Sequence, residues 1–325
     1  MSRITVDEQL TKYLTDAHSI EQQALVQMKE APGIAGDPQL SSIFQQHLTE
    51  TEDHGRLVRE RLEARGASPA VIKDLAGAIT GKGFALFARL QPDTPGKLVT
   101  HAFSYEHMEL AAYELLGSVA RRAGDEQTAQ TARRIEMQER AMAERLADSF
   151  DRAVAASLQQ LKSDDLGEQL EKYLADAHAI EAQALALLKK APKLAGAAEL
   201  ASAYEEHRAQ TEQHSELVAS RLYARGASAS RIKDAALSLG ALNWGMFFRA
   251  QPDTAAKLAA FAYAFEHLEI GAYEQLRRVA ARAGDTDTEA TAETILAEER
   301  SAADRIHSLL ERALDASLHE LGVAA

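Results

Sequence analysis

Apolar residues recur every three or four positions along the first half of the chain, the spacing of one helix face. This predicts four long helices, at about 5–30, 38–65, 95–122 and 126–150. The first seam reads Leu10, Leu14, Ala17, Glu21, Ala24, Met28, and the second Leu40, Phe44, His47, Thr51, His54, Val58, Leu62. The third is apolar over a wider arc, with Phe103, Glu106, Leu110 and Tyr113 on one row and Ala102, Tyr105, Glu109 and Ala112 beside it. The fourth carries Ile135, Glu139, Met142 and Leu146. Every seam is interrupted by ionisable residues where a core-facing helix would place an apolar side chain.

The pattern returns 160 residues later without gaps. "KYLTDAH" becomes "KYLADAH", "ARGAS" recurs at Ala64 and Ala224, "QPDT" recurs at Gln91 and Gln251, and "RRAGD" at Arg121 answers "ARAGD" at Ala281. The tails "AASLQQL" and "DASLHEL" agree as well. The polar seam positions are copied as Glu181, His207, His214, Glu266, Glu269 and Glu299. The expected units are 2–161 and 162–325, joined near "LKSDDLGEQ", where Ser163 or Asp164 is suited to cap the next helix. Units of this length predict two complete domains rather than a solenoid.

The short breaks "APGIAGDP" and "RRAGDE" make helices 1 and 2 antiparallel neighbours, and likewise helices 3 and 4. About thirty residues separate helices 2 and 3, with a minor helix expected at "SPAVIKDLAGAI", an apolar "GFALF" and a turn at "QPDTPG". Two helical hairpins joined by a long crossover predict an all-α fold of two tandem ferritin-like four-helix bundles, an architecture that builds metal sites in its core.

Composition adds exclusions. A net charge of -13 opposes nonspecific nucleic-acid binding and favours cations as partners. The absence of cysteine excludes disulfides, thiolate nucleophiles and cysteine-ligated clusters or zinc. No apolar run resembles a signal peptide or reaches the length of a membrane span, so a cytoplasmic location is expected. Nucleotide-binding and serine-hydrolase fingerprints are likewise missing.

Each bundle therefore aims four carboxylates and up to two imidazoles at its axis: Glu21, His47, His54, Glu106, Glu109 and Glu139, then Glu181, His207, His214, Glu266, Glu269 and Glu299. Buried carboxylates need pairing or protonation, and mutual repulsion adds to the cost. Two divalent cations per bundle would balance the four charges, and carboxylate with imidazole suits iron or manganese, with zinc possible. The general template of four Glu and two His uses Glu-x-x-His on two helices, which this chain does not reproduce. Glu50 lies toward the edge of the helix 2 arc, and its counterpart is Gln210.

At "DAHSIEQQAL", "QQHLTETEDH", "YEHMELAAY" and "MQERAMAERL" the sequence resembles the YciE/YciF-type stress proteins, a branch of the ferritin-like superfamily, over nearly all of both units. The resemblance implies a four-helix bundle with a dinuclear iron or manganese centre and a role linked to stress. It implies Glu21, Glu50, Glu106, Glu109 and Glu139 as ligands, with Glu181, Glu266, Glu269 and Glu299 in the second unit; Gln210 departs from that pattern. Because such proteins usually pair as single bundles, the tandem chain looks like a fused pseudo-dimer, acting as a monomer or a small homo-oligomer.

Other polar residues have plainer readings beside functional ones. His18, His178, His107 and His267 are outer donors near the seams or bystanders. Tyr105, Tyr113 and Tyr273 are electron donors to a metal centre or core aromatics with bonded hydroxyls. Trp244 opposes Phe84 as packing, and "RLVRERLEARG" reads as solvated helix surface. Three functions compete: a redox metalloprotein acting on oxygen or peroxide as oxidase, ferroxidase or scavenger; a metal-free helical stress or scaffold protein without catalysis; and bulk iron storage, which the tandem fusion disfavours.

Overall fold

The computed structural model of the protein describes residues 4–66, 95–159, 165–227 and 254–323. No strand occurs among them. They fall into two compact units, whose bodies lie within residues 1–157 and 158–320. The first contains α1 (Val6–Ile34), α2 (Pro38–Ala64), α3 (Pro95–Arg122), α4 (Glu126–Ala147) and α5 (Phe150–Leu158). The second contains α6 (Leu166–Leu188), a 3-10 turn (Ala191–Leu194), α7 (Ala198–Ala224), α8 (Thr254–Ala283), α9 (Thr286–Ser308) and α10 (Leu310–Glu320). No helix among the described residues is long and apolar enough to cross a membrane. The minor helix, "GFALF", the first four residues of "QPDTPG", Phe84, Trp244, Ser163 and Asp164 lie outside the described residues, while Pro95 and Gly96, the end of that expected turn, open α3.

Local chemistry sets the helix starts. Thr5 and Glu8 form a reciprocal capping box on α1. Asp37 accepts from the amides of Gln39 and Leu40 at 2.9 and 3.0 Å, with Pro38 in the first turn of α2. Asp125 caps α4 and Asp285 caps α9 through the amides of Thr128 and Thr288.

Within the first unit α1 packs on α2 and α3, and α4 packs on α3 and α2, closing a ring around an apolar core. Arg65, at the end of α2, donates to Asp7 at the start of α1 and to Asp125 before α4. At the opposite end, Gly36 after α1 touches Pro95, where α3 begins. Thus α2 and α3 run in the same direction and α1 opposes both, the connectivity expected of a long crossover. In the second unit Arg225 donates to Asp285 and to the carbonyl of Gly167, and Gly196 meets Ala255.

Gly36 has φ +67, and a Cβ there would come within 2.6 Å of Pro95. Gly196 has φ +66, with Ala316 at 2.9 Å and Ala255 at 3.2 Å. Both the left-handed backbone and the close approach require glycine.

Three expectations change. The fourth helix, expected to reach 150, ends at Ala147, and the repeated tails form separate helices, α5 and α10. Phe150, Ala153 and Val154 bury against the bundle, and Ser157 Oγ accepts from the Gly96 amide at 2.8 Å; Ser317 does the same for Ala256 at 2.9 Å. The first helix runs past 30 to Ile34, through Pro32, whereas its copy stops at Leu188. Finally, Arg56 does form surface pairs with Asp53 and Glu60, but Arg61 and Arg65, expected on solvated surface, are largely covered and tie the end of α2 to Asp125.

Candidate metal centre

The interrupted seams meet at mid-bundle because α1 to α4 each turn one face inward. The six seam acids and imidazoles of the first unit, and their six counterparts, are all at most 3% exposed. In the first unit two groups of donor atoms converge: His47, Glu106, Glu109 and Glu139, and Glu21, His54 and Glu139. The second unit repeats them as His207, Glu266, Glu269 and Glu299, and Glu181, His214 and Glu299. Donor atoms within each group lie within 4.8 Å of one another, and Glu139 or Glu299 belongs to both groups of its bundle.

His47 Nε2 sits 3.3 Å from Glu106 Oε2 and 3.5 Å from Glu139 Oε2. His54 Nδ1 lies 2.7 Å from Glu139 Oε1 and 3.9 Å from Glu21 Oε1. The second unit has His207 Nε2 at 2.8 Å from Glu266 and 3.4 Å from Glu299, and His214 Nδ1 at 2.8 Å from Glu299 and 3.8 Å from Glu181. Despite these distances, both carboxylate oxygens of Glu106, Glu109 and Glu139 lack aligned hydrogen-bond donors, as do His47 Nε2 and His54 Nδ1. Glu269, Glu299, His207 Nε2 and His214 Nδ1 repeat this. Buried acceptors without donors, converging from four helices, fit a cation.

The electrostatics agree. Burial, and then the charge of Glu139, push Glu21 up to about 8, and burial with Glu299 pushes Glu181 up to about 8. Burial raises Glu139 and Glu266 to about 7. Glu109 and Glu269 are pushed well above the carboxylate range by burial and the surrounding acids. Burial acts on Glu299 in the same sense, but His214 and His207 outweigh it and lower its pKa. Burial opposes charge on the histidines, yet the facing glutamates prevail, raising His207 to about 10 and His214 to about 9. A proton or a metal ion must satisfy such a cluster.

Glu50, expected among the ligands, falls in neither group. Its carboxylate accepts from His47 Nδ1 at 3.1 Å, Arg145 at 2.8 Å and Gln46 at 2.9 Å, which places it behind the histidine. Burial opposes its charge, but His47 and Arg145 hold its pKa down at about 2. Tyr113 and Tyr273 donate to Glu21 and Glu181, and Tyr105 donates to the Ile20 carbonyl at 3.0 Å. His18 and His178 are buried, while His107 and His267 bond through Nδ1 to the carbonyls of Phe103 and Tyr263. The sequence reading missed Gln138 and Glu298, which stand behind His54 and His214 at 3.2 and 2.7 Å. A signal existed: Glu50 becomes Gln210 while Gln138 becomes Glu298, a paired exchange between the copies.

No solved structure matches the chain at a significant level. The model of a family described as a domain of unknown function (DUF892) matches twice, over residues 5–159 and 165–319. With both bundles matched from end to end, the chain belongs to this ferritin-like DUF892 family.

Proposed function

We infer that each bundle is a dinuclear carboxylate metal centre, holding two iron or manganese ions, and that the protein acts on oxygen or peroxide as an oxidase, ferroxidase or scavenger in a stress response. The observation that carries this is the set of buried, donorless carboxylate oxygens and imidazole nitrogens converging from four helices, present twice. Glu106, Glu109 and His47 would hold one ion, Glu21 and His54 the other, and Glu139 would serve both; the second bundle uses the equivalent residues. A redox-active metal pair would supply the electrons that reduce oxygen or peroxide.

The protein's own residues supply the setting. Tyr113 fixes Glu21 through its hydroxyl, as Tyr273 fixes Glu181, so one oxygen of each carboxylate is bonded and the other is buried without a donor. Thr51 and Thr211 return their hydroxyls to the carbonyls of His47 and His207, both at 2.9 Å, which removes them as competing donors. Leu14, Met28, Phe44 and Met142, on the same inward seams as the acids, are buried as well.

Elemental analysis of the purified protein tests the reading, with melting before and after chelation. Iron or manganese near two ions per bundle, and a lower melting temperature after chelation, are expected. Replacing Glu21 and Glu106 by Gln should reduce the metal content. The raised glutamate pKa values favour one competing reading, a metal-free helical scaffold whose acids are neutralised by protons. That reading gains if no stoichiometric metal is found and chelator leaves melting unchanged.

A further inference from the structure

The outer nitrogens of the four cluster histidines are backed by different chemistry in the two bundles, a contrast whose consequence rests on the dinuclear metal reading. In the first bundle His47 Nδ1 donates to the Glu50 carboxylate at 3.1 Å, while His54 Nε2 faces the amide oxygen of Gln138 at 3.2 Å. In the second, His207 Nδ1 faces the amide oxygen of Gln210 at 3.4 Å, while His214 Nε2 donates to the Glu298 carboxylate at 2.7 Å. Each bundle thus has one carboxylate and one amide behind its histidines, at opposite positions.

A carboxylate behind an imidazole fixes the tautomer, adds negative charge and raises the basicity of the far nitrogen, whereas an amide only orients the ring. The inner groups are already unequal. His47 gathers with three carboxylates, Glu106, Glu109 and Glu139, but His54 with only Glu21 and Glu139. Glu50 reinforces the richer group, giving four carboxylates against two. Glu298 reinforces the poorer one, giving three against three.

We propose that Glu50 and Glu298 are positioning residues that set the order of metal loading: the first bundle fills stepwise, the His47 group first, and the second takes both ions with nearly equal affinity.

The surroundings match the exchange. Arg145 pairs with Glu50, whereas its counterpart Arg305 pairs with Glu206. Glu50 and Gln138 line one shallow surface cavity of about 530 Å³, so a single carboxylate can stand behind either histidine from the same side of the bundle. Each backing charge is attenuated, Glu50 by Arg145 and Glu298 by water at 39% exposure. The effect expected is therefore about tenfold, the lower end for partners behind a metal-bound histidine.

The test is a titration of the chelator-treated full chain with Mn2+, following the free ion by its six-line paramagnetic resonance signal. The native chain should bind four ions, one of them about tenfold more weakly than the rest. The double variant Glu50→Gln with Gln138→Glu should abolish that weak ion. The reciprocal variant Gln210→Glu with Glu298→Gln should produce two weak ions. Helix content in chelator should be unchanged, since every substitution is isosteric. Three superimposable isotherms with four ions bound would overturn the ordering while leaving the metal reading intact. No stoichiometric Mn2+ in any of the three proteins would overturn both.

Discussion

Between the first bundle and the second, every cluster acid and imidazole is retained, from Glu21 and Glu181 to Glu139 and Glu299, while the second layer changes. Glu50 and Gln138 become Gln210 and Glu298, Phe44 becomes Tyr204, and Tyr105 becomes Phe265. Duplication has thus kept the twelve cluster donors while exchanging the carboxylate and the amide that stand behind the histidines. The lesson is that the inner donors, which could hold a metal ion, are the same in both bundles, while the groups behind their histidines differ.

The comparison can be broken most directly at the shared carboxylate. Glu139→Gln should remove both ions of the first bundle and Glu299→Gln both of the second, each halving the metal content measured by elemental analysis. If either variant emptied all four positions, the bundles would not be independent.

The next largest effect is the pH dependence of the chelator-treated protein. Glu21 and Glu181 ionise near 4.5 when unfolded and about 8 when folded, so the folded state holds the extra protons in that interval. Raised His207 and His214 act in the same sense between 6.5 and about 10. Stability should therefore fall as pH rises from 5 to 9, by on the order of several kcal/mol. Loading with metal should flatten the curve, read by denaturant unfolding at each pH.

A smaller contrast lies at the glycine turns. Gly36→Ala and Gly196→Ala should each cost about 1–3 kcal/mol for the left-handed backbone. Gly36 should cost more, because Pro95 stands closer than Ala316 does to its counterpart. Smallest of all, Ser157→Ala and Ser317→Ala should each lose about 1 kcal/mol, and equally, since both remove one hydrogen bond to an amide at the start of the third bundle helix. Unequal losses there would show that the scaffold, as well as the outer layer, has diverged.

The four interrupted seams were legible because a helix repeats its buried face every three to four residues, and all six cluster positions in each copy fell on that face. The break after Ala147 was not, since Asp148 and Ser149 carry no glycine or proline to mark it and apolar spacing continues into Phe150. Pro32 misled in the other direction, announcing a stop that α1 passes through. Glu50 looked like an edge residue, and its role depends on the turn of His47 Nδ1 toward it. Gln138 touches a histidine 84 residues away, a contact no single-helix periodicity contains.

The Ser157 hydroxyl on the Gly96 amide reaches beyond its own strength. It pins the first turn of α3 axially, and ten residues onward the same rod carries Glu106 and Glu109 to the height of His47. A slip of one residue would lift these acids by about 1.5 Å and swing them by about 100°. The short terminal helix thus works as a gauge block, setting from the far end of the bundle the depth at which the acids arrive.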